Sequence, residues 1–184
     1  MEWKKISEEE VGLGYRTFLQ RTYSMPNGKE ALFTIKKEAD IVCCLALTKD
    51  KKVILVKQFR QGPEEQLVDI PAGMIDKNEL PEDAMKRELL EETGYMGEIE
   101  FVAKKYIGSY STSTAYIFFV RNCEKIAEQK LDESEFIEVE LMDFEEFRKE
   151  LIKGDFILSG AAYMALDHAQ LLWMLLKNFN WESR

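Results

Sequence analysis

Three carboxylates define the chemistry open to this chain. Glu88, Glu91 and Glu92 stand at i, i+3 and i+4, which on a helix sets all three within an arc of about 100° on one face. Like charges at that spacing oppose one another by about 0.2–0.5 kcal/mol per pair, so the cluster needs full solvation or a cation. Grouped oxygen ligands suit the hard ions Mg2+ or Mn2+. A single histidine and three cysteines without a CxxC pair leave little for zinc. An acidic helix face is by default a solvated one, and here the flanks decide. Pro71-Ala72-Gly73 stops a strand and Glu79 lies in the loop beyond it. Gly94 ends the helix, so backbone carbonyls come to lie beside the acidic face.

The elements that must position this face are legible from periodicity. Residues Pro81 to Thr93 predict a helix, with proline at its first position, Glu82 and Asp83 in the first turn and Gly94 as its stop. Leu80 is a poor N-cap. The apolar run Ile41 to Leu47 predicts a strand buried on both faces, and Val53 to Val56 a hairpin partner. Further strands are expected at Tyr15 to Tyr23, Ala31 to Ile35, Gln66 to Ile70, Ile99 to Tyr106, Ala115 to Val120 and Glu135 to Leu141. Pro26-Asn27-Gly28 marks a turn, and helices are expected at Phe144 to Lys153 and Ala161 to Asn178.

At 184 residues and 46% hydrophobic, the chain suffices for one well-buried core with a small additional subdomain. The net charge of −9 argues against nucleic acid and anionic membrane surfaces as partners. It leaves room for an anionic small molecule, because a bound divalent ion reverses the local field. The longest apolar stretch, Leu171 to Leu176, is far short of a membrane span, and the N-terminus lacks a signal-peptide core. Cys43 and Cys44 read as small buried hydrophobes and His168 as a structural histidine, and a reducing cytoplasm is the expected setting. Trp3, Tyr23 and Phe33 offer a stacking surface for a base, although strand aromatics are more often core.

Gly73, five residues, Glu79, seven residues, Arg87-Glu88, Leu89, one residue, Glu91-Glu92, one residue and Gly94 together resemble the signature of the Nudix family. Tyr95, at a position normally aliphatic, is the one departure. Val56-Lys57-Gln58-Phe59-Arg60, Asp69 to Gly73 and Asp132 to Val139 resemble the ADP-ribose pyrophosphatase branch. The resemblance implies an α/β (α+β) Nudix fold, a mixed sheet sandwiched between helices. It also implies a small N-terminal β subdomain over residues 1–38 that helps build a homodimer, and a hydrolase domain over 39–184. It implies Mg2+ (or Mn2+) held by Glu88, Glu92 and the Ala72 carbonyl, with Glu91 assisting a metal or its water and Arg87 and Glu79 fixing the ligands. The implied reaction is hydrolysis of ADP-ribose to AMP and ribose 5-phosphate, with Arg60 gripping a phosphate and Glu135 as general base. Gly108 to Thr114 departs from the Ser-Pro-Gly and glutamate of many ADP-ribose hydrolases. That departure leaves other nucleoside diphosphate sugars and dinucleotides open. A nucleotide sensor without turnover would be favoured by loss of a signature carboxylate, and none is lost.

Overall fold

The computed structural model describes residues 1–172. By its internal contacts the chain forms two units, Met1–Asp40 with Lys105–Ala115, and Ile41–Lys104 with the chain from Tyr116 onward. The N-terminal subdomain expected over residues 1–38 is thus accompanied by a later segment.

In the first unit β1 (Lys4–Leu13), β2 (Arg16–Ser24) and β3 (Glu30–Lys37) form an antiparallel sheet in that order. β1 carries no apolar alternation to signal a strand, because its residues are nearly all exposed and half of them are charged. It is held as a strand by cross-strand pairing, with Glu8 opposite Arg21 and ion-paired to it. The Pro26-Asn27-Gly28 turn forms as expected, with Asn27 Oδ1 accepting from Lys29 N at 3.0 Å and Gly28 at φ 77°. Trp3, Tyr23 and Phe33 are not core. They meet edge-on at 5.9–6.2 Å and line a cavity of about 500 Å³ with Arg21, Ile35, Ser109 and Tyr110.

The seven-stranded sheet runs β10 (Glu138–Asp143), β5 (Lys52–Arg60), β4 (Ile41–Thr48), β9 (Thr114–Lys125), β8 (Tyr95–Tyr106). Two short strands branch from it, β6 (Glu65–Asp69) on β5 and β7 (Ala72–Met74) on β4. The expected two-faced burial of β4 holds. Val42, Cys44 and Ala46 pack with Ala84, Met85 and Leu89 of α1 (Pro81–Thr93). Cys43, Leu45 and Leu47 pack with α2 (Phe144–Lys153) and α3 (Ser159–His168) through Phe147, Leu151, Ala162 and Leu166. The sheet is therefore covered by helices on both faces, as period-two alternation of an all-apolar strand requires.

Three further expectations change, and the first is that the strand expected from Glu135 begins only at Glu138, leaving Glu135 in the loop before it. Pro71 does end β6, but the chain then restarts as β7, with Val42 opposite Gly73 and Cys43 opposite Ala72. Proline lacks the N–H a ladder needs, so the chain leaves β5 there and takes β4 as its partner. The last helix ends at His168 rather than continuing to Asn178, with Gln170 in the left-handed region at φ 59°. Residues 173–178 of that expectation lie outside the described residues. His168 is exposed at this helix end, with Nε2 3.4 Å from a Glu100 oxygen. Among the described residues no helix is long and apolar enough to cross a membrane.

Asp69, at the end of β6, is buried and accepts from Ile70 N at 2.9 Å and from Leu158 N at 3.1 Å, tying the strand to the start of α3. Burial pushes its carboxyl up to about 6, from 3.8, against the help of those amides and of Arg60. The native state therefore takes up a proton at higher pH than the unfolded chain. Stability from this group is greatest below about pH 4 and is lost as pH rises to about 6, by on the order of 3 kcal/mol. Asp69→Asn keeps an acceptor for the amides and is expected to lack this dependence. Urea unfolding should find the variant at least as stable as wild type at pH 8, with the difference shrinking or reversing at pH 4. A variant clearly weaker at pH 8 would show that the ionised carboxylate stabilises the fold.

Candidate active site

The stripe that packs α1 also places its carboxylates. Met85, Leu89, Glu92 and Thr93 are buried on one side of the helix, so Glu92 lies on the core-facing stripe while Glu88 and Glu91 stand at its margin. Glu92 is 4% exposed, and its Oε2 accepts from Ala72 N at 3.1 Å. The switch of the chain onto β4 at Pro71 is what brings that amide to the helix.

Gly73 follows at once and is the other half of the arrangement. A Cβ there would fall inside the Glu88 carboxylate. Only glycine lets this side chain lie against the strand.

Arg87 holds the rest. Its Nε and Nη2 donate to the two oxygens of Glu79 at 2.9 Å each, and Nη2 also donates to Met74 O at 2.9 Å. Its Nη1 donates to Glu88 Oε1 at 2.8 Å and to Glu91 Oε2 at 3.2 Å. The planar fork thus orients two carboxylates of the acidic face while anchored on a third. Glu79 also accepts from Asp76 N at 3.0 Å, and the Arg87 guanidinium holds its carboxyl down to about 2. It stays ionised and Arg87 stays placed.

The remaining carboxylates are pushed the other way. Burial raises Glu92 to about 8, the Ala72 amide and Arg60 opposing and Glu88 and Glu135 adding to it. Burial raises Glu88 as well, against Arg87. A buried and a half-buried carboxylate, both with ionisation penalised in the bare protein, are what a cation site looks like before its cation. All-oxygen donors fit a hard divalent ion. Among the described residues no three His, Cys, Asp or Glu side chains close on one point by themselves, so such an ion would also use backbone or substrate oxygens. The Ala72 carbonyl is the candidate named from sequence.

Arg60 ends β5, and its charge acts on both Glu92 and Asp69. Glu135 lies in the exposed loop before β10, and its charge acts on both Glu88 and Glu92. Thr114 is buried, with its N–H donating to Asp40 Oδ1 at 2.8 Å. Gln129 carries no sequence signal for the role it takes. Its Nε2 donates to Glu92 O at 2.6 Å and to Ile137 O at 3.1 Å, and no local pattern marks a lone glutamine in a loop as doing so.

The NUDIX domain model matches residues 37–159. The chain is 33% identical over 175 residues to a protein named ADP-ribose pyrophosphatase from Bacillus subtilis (strain 168), covering 93% of this chain and 94% of that one. It is 29% identical to a protein named methanol dehydrogenase activator from Bacillus methanolicus, covering 92% and 94%. A crystal structure of an ADP compounds hydrolase shares its fold at a TM-score of 0.77, with 20% identity and coverage of 96% of this chain and 95% of that one.

Gly73→Ala should displace the Glu88 carboxylate. Calorimetric titration with Mn2+ is expected to find binding weaker by about 10- to 100-fold, the range for disturbed support of a metal ligand. Unchanged affinity would remove Glu88 from the ligand set.

Proposed function

The chain belongs to the Nudix family, and from that premise we propose that it hydrolyses the pyrophosphate bond of ADP-ribose, giving AMP and ribose 5-phosphate, with Mg2+ or Mn2+ as cofactor. It is a Nudix hydrolase acting on a small nucleotide substrate, and divalent ions serve that family's chemistry. The observation that carries the reading is a pair of carboxylates held against backbone, buried Glu92 on the Ala72 amide and half-buried Glu88 over Gly73. A nucleotide sensor without turnover would be favoured by loss of a signature carboxylate, and Glu88, Glu91 and Glu92 are all present.

Glu88, Glu92 and the Ala72 carbonyl would hold the ion, with Glu91 assisting. A bound divalent ion neutralises the diphosphate and eases loss of a proton from the attacking water. The protein supplies position and proton transfer. Arg87 fixes the carboxylate rotamers, and Arg60 presents a planar fork to a phosphate. Glu135 takes the proton of the water as its oxygen bonds to phosphorus and the bridging P–O bond breaks, the displaced phosphate oxygen keeping the electron pair. Glu135 suits this because its carboxylate comes from outside the helix and lies within electrostatic reach of Glu88 and Glu92. Three buried cysteine thiols suit a reducing compartment, and we place the enzyme in the cytoplasm.

A turnover screen of ADP-ribose and other nucleoside diphosphate derivatives with Mg2+ and Mn2+ tests this. ADP-ribose should be cleaved to AMP and ribose 5-phosphate only with the divalent ion, and Glu135→Gln should lower kcat by roughly 10² to 10⁴ with substrate affinity near normal. Turnover in excess chelator would refute the cofactor, and better cleavage of another nucleotide sugar would move the substrate assignment.

We further propose that the N-terminal subdomain, residues 1–38, serves a homodimer. Its three strands make a thin sheet with Ile6, Leu13 and Leu32 exposed, and a sheet this small gains from burying a face against a partner. Light scattering at micromolar concentration should give twice the chain mass of 21.5 kDa; a monomer would refute it.

A further inference from the structure

The segment from Ile126 to Ile137 leaves the sheet after β9 and returns to it at β10, and on the way it finishes α1. A helix leaves its last carbonyls without partners of its own. Here Gly94 N closes onto Leu90 O at 2.8 Å, and the loop supplies the rest. Lys130 N donates to Glu91 O at 2.9 Å, and Ile126 N and Ala127 N donate to Gly94 O at 2.9 and 3.2 Å. The carbonyl of Glu92 is taken by a side chain, the Gln129 carboxamide, at 2.6 Å. Two of these carbonyls belong to residues whose carboxylates face the site.

Gln129 differs from the backbone donors in having a second N–H on the same nitrogen. That N–H donates to Ile137 O at 3.1 Å, two residues beyond Glu135. One half-buried nitrogen therefore ties the end of the metal-binding helix to the point where the loop rejoins the sheet. Between these anchors Asp132 to Glu135 form a closed turn. Glu135 N donates to Asp132 O at 3.0 Å, and Asp132 N donates to Glu135 Oε2 at 3.2 Å. The span free to move is then a few residues long, with the Glu135 carboxylate already turned back on its own loop.

We infer that Gln129 is a positioning residue for Glu135, fixing the distance between the general base and the carboxylates of α1 by bridging Glu92 O and Ile137 O. The inference rests on Glu135 as the base. Gln129 touches neither substrate nor cofactor in this role. Its removal releases the loop, so the proton acceptor is misplaced while the groups that bind the diphosphate stay where they are.

Gln129→Met keeps the length of the side chain and removes both donors. ADP-ribose turnover with Mn2+ by wild type, Q129M, E135Q and the double variant tests the inference. Q129M is expected to lower kcat about 10- to 100-fold, the cost of misplacing a catalytic group by roughly an ångström, with KM within about twofold. On the E135Q background the same change should cost less than about twofold, because no base remains to be misplaced. Full additivity, a loss confined to KM, or a Q129M as active as wild type overturns the positioning role, and a defective E135Q would then still support the base. A fully active E135Q overturns the base assignment and the positioning with it. If circular dichroism shows Q129M unfolded, Gln129→Asn takes its place in the same cycle, since it keeps the carboxamide one methylene short of Ile137 O, and the same outcomes decide.

Discussion

The constraint on which the structure turns is the burial of Glu92. A carboxylate on the packed stripe of a helix is costly unless its charge is met, and here one backbone amide, Ala72 N, meets it within the protein. That amide is available because Pro71 interrupts one ladder and the chain starts another on β4. The short β7, with Gly73 at its centre, is what brings this backbone to the carboxylate. Glu88 repeats the arrangement one turn earlier on the helix, where the missing side chain of Gly73 makes the room.

The scaffold behind the site is conventional, and that is its use. β4 is apolar at every position from Ile41 to Leu47 and is covered on both sides, by α1 on one and by α2 and α3 on the other. Deep burial makes such a strand the stiffest part of a sheet, since each residue packs against several neighbours. β7 hangs from it and α1 rests on it. The carboxylates and the backbone that faces them are thus referenced to one rigid element, while Arg87 supplies the lateral restraint between Glu79, Glu88 and Glu91.

Much of this was legible in the residues, and the parts that were not share a physical cause. The helix from Pro81 to Thr93, the two-faced strand and the grouping of the carboxylates all rest on local periodicity, which the chain states plainly. β1 was missed because a solvated, charged strand has no apolar alternation; only its pairing with β2 makes it one. β7 was missed because Pro71-Ala72-Gly73 is a stop signal for the strand that precedes it and says nothing of a new partner. The strand context of Trp3, Tyr23 and Phe33 favours core, yet they line an open cavity. Gln129 was invisible because its partners are backbone carbonyls without side-chain identity, that of Glu92 far from it along the chain and that of Ile137 across a loop. What sequence conveys poorly here is non-local backbone satisfaction.

Non-local backbone satisfaction also explains why the acidic face tolerates its position at all. Glu91 and Glu92 stand in the final turn of α1, where the helix dipole is negative, and the last turn has no basic residue to offset them. Carboxylates there are at the wrong end of a helix for stability. The compensation comes from N–H groups directed at the terminal carbonyls, from Lys130, Gln129, Ile126 and Ala127, which place positive partial charge where a lysine or arginine would otherwise stand. A basic side chain would serve the helix equally well but would compete for the carboxylates, whereas backbone and carboxamide donors satisfy the carbonyls and leave the acidic face open. The loop that carries Glu135 thus completes a helix end that Gly94 begins. Its closeness to the site is a consequence of how an acid-rich helix can be ended.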